Sequence, residues 1–292
     1  MDDLGFQCEV DGPFVRVRDI VEIAVAAGRV IMEIYEEDPE TWEQRSKSDD
    51  TPVTKADIRA DKLIGEHLRK TYPDIPIISE EGVHQPYEER RNFQHYWLVD
   101  PLDGTKEFVN RSGDFAVMIG LCRGGSPVLG VVHVPARPDR PTYFAVEGKG
   151  AHVVKGTAPV LSTSSPLSVR SFCAHGRGLL LAVSKSRLPR DFITSFQDAQ
   201  TRSIGSAALK AIAVATGDVH IFPCVYSVSE WDTAATQVIV EEAGGAVVQY
   251  EGGGAEACGG TGSGPGRPVV YNKESLEGPH CLFMGRRLET EA

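Results

Sequence analysis

Asp100-Pro101-Leu102-Asp103-Gly104-Thr105 places carboxylates, a backbone carbonyl and a hydroxyl within one tight turn. These are hard oxygen donors, suited to holding a hard cation such as Mg²⁺ beside a phosphate group. The turn follows Tyr96-Trp97-Leu98-Val99, whose aromatic and β-branched character predicts a buried strand, stopped and bent by Pro101 and Gly104. The acids are therefore expected at the carboxyl end of a strand, where ligands collect in layered α/β folds. An Asp-x-x-Asp turn alone is equally what two turn-forming aspartates produce.

Other segments supply matching groups. Ile75 to Ser79 reads as a short strand delivering Glu80-Glu81-Gly82 to its end. Adjacent glutamates point to opposite sides, so one can enter a site while the other supports it or faces water; a solvated charge pair is equally what such acids form. Val228-Ser229-Glu230-Trp231-Asp232-Thr233-Ala234-Ala235 leads into an apolar, Ala-rich helix expected from Asp232 to Ala243. Asp232 then falls in the first turn, where the helix dipole favours a carboxylate with or without a metal. Thr54-Lys55-Ala56-Asp57 opens a helix through Ile58, Leu63, Ile64 and Leu68. Its spacing is the acidic variant of a capping box, with Thr54 as N-cap and Asp57 at the third helical position.

Val53-Thr54-Lys55-Ala56-Asp57, Ser79-Glu80-Glu81, Asp100 to Thr105 and Trp231-Asp232-Thr233-Ala234-Ala235 follow one another across residues 16 to 250. In order and separation they resemble the signatures of the lithium-sensitive, Mg²⁺-dependent phosphatases related to inositol monophosphatase. Lys47-Ser48-Asp49-Asp50-Thr51-Pro52-Val53-Thr54 and Asp103-Gly104-Thr105-Lys106-Glu107-Phe108 are most similar to the 3'(2'),5'-bisphosphate nucleotidases of that superfamily. The resemblance implies an α/β fold of alternating α-β-α-β-α layers with mixed sheets and a metal site between lobes. It also implies removal of the 3'-phosphate of adenosine 3',5'-bisphosphate to give AMP and phosphate, in sulfur metabolism. Mg²⁺, as two or three ions, is the implied cofactor, and a homodimer is the assembly the family suggests.

Carried onto this chain, the resemblance gives Glu80, Asp100 and the Leu102 carbonyl to one Mg²⁺, and Asp100, Asp103 and Asp232 to a second. Thr105, oriented by Asp57, would align the attacking water and take up its proton. Gly104, Thr105, Lys106, Arg202, Gly205, Ser206, Lys210 and Asp232 would contact the substrate. So many acids make physical sense because a phosphate monoester is itself anionic and needs concentrated positive charge. Two features depart from the nucleotidase pattern. The Gly205-to-Lys210 spacing looks more like the inositol phosphatases, and Cys224-Val225-Tyr226-Ser227-Val228 replaces a Gly-Pro-Thr run. An inositol or related sugar-phosphate phosphatase is therefore the alternative. A non-catalytic module that binds Mg²⁺ or nucleotide is a third reading.

A chain of 292 residues with 41% hydrophobic content buries a substantial core, as one layered domain or two packed lobes. The lobes are expected at 1–160, with most metal ligands, and 161–292, with Asp232 and the specificity segments. The Ser/Thr/Pro-rich stretch 157–166 marks the boundary. A net charge of −11 disfavours nucleic acid over a broad surface, yet admits a small phosphorylated ligand, because bound cations reverse the sign locally. No apolar stretch reaches membrane-spanning length, and Met1-Asp2-Asp3 is too acidic for a leader, so the cytoplasm is expected.

The cysteines at 8, 122, 173, 224, 258 and 281 form no C-x-x-C pair and predict reduced thiols. No histidine motif suggests zinc, and no G-x-S-x-G elbow suggests a serine hydrolase. The glycine-dense run 252–266 lacks a Gly-Lys-Ser/Thr ending and reads as a surface loop. Val17, Ile20, Ile23, Ala24, Ala27, Val30, Ile31 and Ile34 recur at helical spacing. Phe115 to Leu121 and Val128 to Val134 predict a hairpin across Gly124 to Pro127, followed by a strand at Tyr143 to Val146. Beyond the boundary, the pattern predicts strands at Leu179 to Val183 and Val219 to Phe222 and a helix from Gly205 to Thr216.

Overall fold

The computed structural model describes residues 7–9, 14–46, 52–158, 160–173, 177–184, 189–253, 258 and 267–288. Residues 47–51 of the Lys47-to-Thr54 motif lie outside the described residues, as does the glycine-dense run apart from 252, 253 and 258. Helix α1 (Val17–Tyr35) buries Ile20, Ala24, Ala27, Ile31 and Ile34 along one stripe, as its periodicity requires. Helix α2 (Lys55–Thr71) packs beside it. Both lie on one face of a seven-stranded sheet.

That sheet comprises β1 (Ile77–Ser79), β2 (His95–Asp103), β3 (Ala116–Arg123), β4 (Ser126–His133), β5 (Thr142–Val146), β6 (Ala151–Val154) and β7 (Ser165–Pro166). Its strand order is β7-β6-β5-β4-β3-β2-β1, antiparallel throughout except that β1 runs parallel to β2. The β3–β4 turn is shorter than expected. Gly124 and Gly125 alone form it, at φ 56° and 84°, conformations that cost glycine little. Pro101 does not stop β2; the strand runs on to Asp103 with a register shift between Asp100 and Asp103. A proline cannot donate to the ladder, and an irregular pairing is where a strand tolerates one. Strand β7 lies past residue 160 but within the Ser/Thr/Pro-rich stretch 157–166, so the first sheet takes in the end of that stretch.

A second sheet holds β8 (Leu180–Val183), β9 (Gln200–Ser203), β10 (Ile221–Cys224), β11 (Ala246–Gln249) and β12 (Cys281–Met284), ordered β9-β8-β10-β12-β11. Strand β10 begins two residues later than the sequence pattern suggests, and β9, β11 and β12 were not legible in it. The short helices α3 (Thr105–Val109) and α4 (Arg190–Thr194) precede α5 (Ala207–Ala215) and α6 (Ala234–Glu242). Helices α5 and α6 fill the space between the sheets, and Phe192 of α4 packs on the far face of the second with Leu181, Val183 and Leu282. The layers are therefore α-β-α-β-α. No helix among the described residues is long and apolar enough to cross a membrane. Cys122, Cys173, Cys224, Cys258 and Cys281 are free thiols.

Alternation along the strands decides which layer each side chain joins. Trp97 and Val99 face α1 and α2, whereas Tyr96 and Leu98 face the middle helices. Helix α6 approaches that second face closely because Gly120 and Gly130, paired across β3 and β4, present no side chain there. A Cβ on Gly130 would lie 2.2 Å from the Ala235 carbonyl oxygen. Gly130→Val should therefore displace the start of α6 and cost on the order of 3 kcal/mol of stability. Urea unfolding measures this, and an unchanged midpoint would show that the helix can move away freely.

Candidate active site

The strand parity that buries Tyr96 and Leu98 against the middle helices carries Asp100 onto the same side, where it is 2% exposed. The same rule, applied to β1, continues from buried Ile78 to Glu80 and leaves Glu81 on the opposite side. Glu80 lines the central cavity and Glu81 does not. The Glu80 amide donates to the Val99 carbonyl at 3.0 Å, which ties the end of β1 to β2 beside Asp100.

Each acid is held by backbone. Asp100 Oδ1 accepts from the Leu102 amide at 2.9 Å. Asp103 Oδ2 accepts from the Ala208 amide of α5 at 2.7 Å, linking the first sheet to the middle helix layer. Asp232 does not belong to the first turn of α6. It ends a separate 3-10 turn, Glu230–Asp232, where its Oδ2 accepts from the Ser229 amide at 2.8 Å. A local turn formed earlier than the helical pattern suggested, because the Asp232 carboxylate accepts from the Ser229 amide while the Asp232 amide donates to the Ser229 carbonyl at 3.2 Å.

Asp57 is 1% exposed and has two sets of partners. Its Oδ2 accepts from the Thr54 amide at 2.8 Å and the Thr54 hydroxyl at 2.7 Å, completing the capping box. Its Oδ1 accepts from Thr105 Oγ1 at 2.9 Å. Burial raises the Asp57 pKa, and these hydrogen bonds oppose the rise. Gly104, before Thr105, has φ 94°, and a Cβ there would meet the Asp114 carbonyl oxygen at 2.8 Å. Glycine is thus required both by conformation and by space.

Glu80, Asp100, Leu102, Asp103, Gly104, Thr105, Lys106, Gly205, Ser206, Lys210 and Asp232 all border one cavity of about 280 Å³. Asp57 stands behind Thr105 rather than on the wall. Arg202 is a correction: it is exposed on edge strand β9, paired in register with Ala182, and does not line the cavity. Lys210 is the reverse case, a lysine 1% exposed. Its Nζ donates to the Gly205 carbonyl at 2.6 Å and Ser184 Oγ at 3.0 Å, and lies 5.3 Å from the Phe222 ring centre. Helix α5 is apolar on every side and packed between two sheets, so its lysine has no outer face to occupy.

Glu107, Ser184, Tyr226 and Trp231 also line the cavity and were not assigned as site residues. Glu107 and Trp231 sat inside the quoted motifs, whereas nothing in the sequence marks Ser184.

The carboxylates disfavour one another's charge. Burial, followed by the charges of Glu80, Asp103 and Asp232, raises the Asp100 pKa well above the usual carboxylate range. Burial also raises that of Asp103, although the Ala208 amide and Lys210 oppose it. Among the described residues no three of these side chains form a ready-closed metal cluster. They border the cavity from separate turns. The donor chemistry nevertheless fits a hard divalent cation, since crowded carboxylate oxygens are the ligands Mg²⁺ takes and a cation would relieve their repulsion.

The Inositol monophosphatase family matches residues 16–282. The 3'(2'),5'-bisphosphate nucleotidase CysQ of Salmonella typhimurium is 39% identical over 239 residues, 81% of this chain and 91% of its own. The protein of that name from Haemophilus influenzae is 32% identical over 276 residues, 92% of each chain. The crystal structure of CysQ from Bacteroides thetaiotaomicron superposes with a TM-score of 0.73 at 31% identity, covering 93% of this chain and 97% of that one. A Thermotoga maritima IMPase superposes at 0.70 with 25% identity, covering 92% and 91%. With its fold, its ordered acids and this match along nearly its whole length, the chain belongs to the inositol monophosphatase family.

Proposed function

We propose that the protein is a Mg²⁺-dependent phosphatase that removes the 3'-phosphate of adenosine 3',5'-bisphosphate, giving AMP and phosphate. The observation that carries the reading is the Thr105–Asp57 hydrogen bond at the wall of a carboxylate-lined cavity that also contains a buried lysine. A module that only bound ligand would need no hydroxyl aligned by a buried carboxylate. The nucleotide substrate is favoured by relatives named as bisphosphate nucleotidases at 32% to 39% identity over most of the chain.

Glu80, Asp100 and the Leu102 carbonyl would hold one Mg²⁺, and Asp100, Asp103 and Asp232 a second. When bound, such ions lower the pKa of a water and neutralise charge on the phosphate and leaving oxygen. The chain's own groups do the rest. Thr105 Oγ1 donates its proton to Asp57 Oδ1, which leaves its lone pairs facing outward to orient a water. As that water attacks phosphorus, its proton passes to Thr105 Oγ1 while the Thr105 proton moves to Asp57 Oδ1. The buried Asp57 carboxylate has a raised pKa and is a better proton acceptor than an exposed one. The new bond is water oxygen to phosphorus, and the bond that breaks joins phosphorus to the ribose 3'-oxygen, which leaves as an alkoxide and takes a proton from solvent water, while Asp57 later returns its proton to solvent. Lys210, which lines the same cavity, would supply positive charge to a non-reacting phosphate of the substrate.

Three outcomes test this. Asp57→Asn should lower kcat by roughly 10²-fold or more, while melting shifts by only a few degrees because the amide oxygen still accepts from Thr54. Undiminished turnover would reduce Asp57 to a helix cap. Asp103→Asn should move the Mg²⁺ activation curve to higher concentration, and a superimposable curve would remove Asp103 from the ligand set. Finally, phosphate release should be greater from adenosine 3',5'-bisphosphate than from inositol 1-phosphate and should vanish with chelator. The opposite preference would assign an inositol phosphatase instead.

A further inference from the structure

Behind the cavity, the segment Val270 to Gly278 crosses between the two turns that carry Glu80 and Asp232. Its link to the Asp232 turn is Glu230, a carboxylate with 0% exposure. Glu230 accepts from the Asn272 amide at 2.5 Å, the Lys273 amide at 3.1 Å and Lys273 Nζ at 2.6 Å. Main-chain bonds from the Glu230 amide to Leu276 and from the Gly278 amide to Val228, at 2.9 and 2.8 Å, fasten the same turn.

The link to the Glu80 side is Arg90, only 4% exposed. Arg90 Nη1 donates to Asn272 Oδ1 at 2.7 Å, and Asn272 Nδ2 donates back to the Arg90 carbonyl at 2.6 Å. Arg90 Nε donates to the Gln85 carbonyl at 2.9 Å, which fixes the loop returning from Glu80. His84 of that loop donates to the Ser79 carbonyl at 2.7 Å, and its ring lies 5.3 Å from that of Trp231.

A buried charge is costly unless each of its oxygens is satisfied, so these bonds leave Glu230 little freedom to shift without its partners. We infer that Glu230 is a positioning residue for cation binding: with Asn272 and Arg90 it holds the Asp232 turn at a fixed separation from Glu80 across the cavity. The inference rests on the reading of Glu80 and Asp232 as metal ligands. It adds a support beyond the bonds from the Ser229 amide to Asp232 and from the Glu80 amide to Val99. Partners of this kind around metal ligands typically set affinity by 10- to 100-fold.

The test is calorimetric titration of the substrate-free protein with MgCl₂ alone, beside its melting temperature without Mg²⁺. Glu230→Gln keeps the shape but sets an amide nitrogen against amide donors. It should weaken Mg²⁺ binding about tenfold, and excess Mg²⁺ should restore kcat. Asn272→Ala removes the two side-chain bonds to Arg90 while Arg90 keeps those to the Lys273 and Glu274 carbonyls, so no charge is stranded; it should weaken binding in the same direction by a smaller factor. Lowered melting temperatures with unchanged Mg²⁺ affinity would make Glu230 a stabilising residue only and overturn the inference. Should Glu230→Gln not fold, Asn272→Ala decides alone: weakened binding supports the inference and unchanged binding overturns it. Asp232→Asn separates the two levels. If it leaves Mg²⁺ affinity intact, the ligand reading fails and the inference with it. If it weakens binding while the other two variants do not, only the inference fails.

Discussion

Like charges forced together are the constraint around which this molecule is arranged. Glu80, Asp100, Asp103 and Asp232 border one cavity, and burial, followed by the charges of the other three, raises the Asp100 pKa well above the usual carboxylate range. Carboxylates do not gather in this way unless the surrounding fold over-determines their positions. Here the determination comes from backbone: the amides of Leu102, Ala208 and Ser229 each donate to one acid. Repulsion among well-held carboxylates is also a store of affinity for a cation, since neutralising it is favourable only when the cation binds.

The layers around the cavity serve that constraint. Asp103 reaches across to the start of α5, and Gly120 and Gly130 let α6 settle closely on the first sheet just after Asp232. Larger side chains at those glycines would hold α6 farther from β3 and β4, and the turn bearing Asp232 would move with it. The strap at Val270 to Gly278 works in the same sense from behind. The site is thus assembled from segments far apart in sequence, each rigid locally and each fastened to another layer.

Within the cavity, charge is asymmetric. Lys210 lies on the cavity wall near Asp103 and Glu107 and is held by the Gly205 carbonyl and Ser184. Burying a lysine against Phe222 costs solvation, which its hydrogen bonds and the ring face partly offset. In a chain whose net charge is −11, Lys210 thus places one cationic group among the acids of the cavity.

The sequence by itself determined whatever is settled within a few residues. The Thr54–Asp57 capping box, the long stripe of α1, the placement of acids at the ends of β1 and β2 and the glycine turn after β3 all follow from local spacing and conformation. Alternation even separates Glu80 from Glu81. Tertiary structure decided the rest, because burial and long-range pairing carry no local signature. Arg202 went outward when β9 became an edge strand, whereas Lys210 went inward when α5, apolar on every side, was enclosed by two sheets. Pro101 was absorbed into β2 because its neighbour strand could shift register. That Thr105 lies on Asp57, 48 positions away, required the whole first sheet to bring the two ends together.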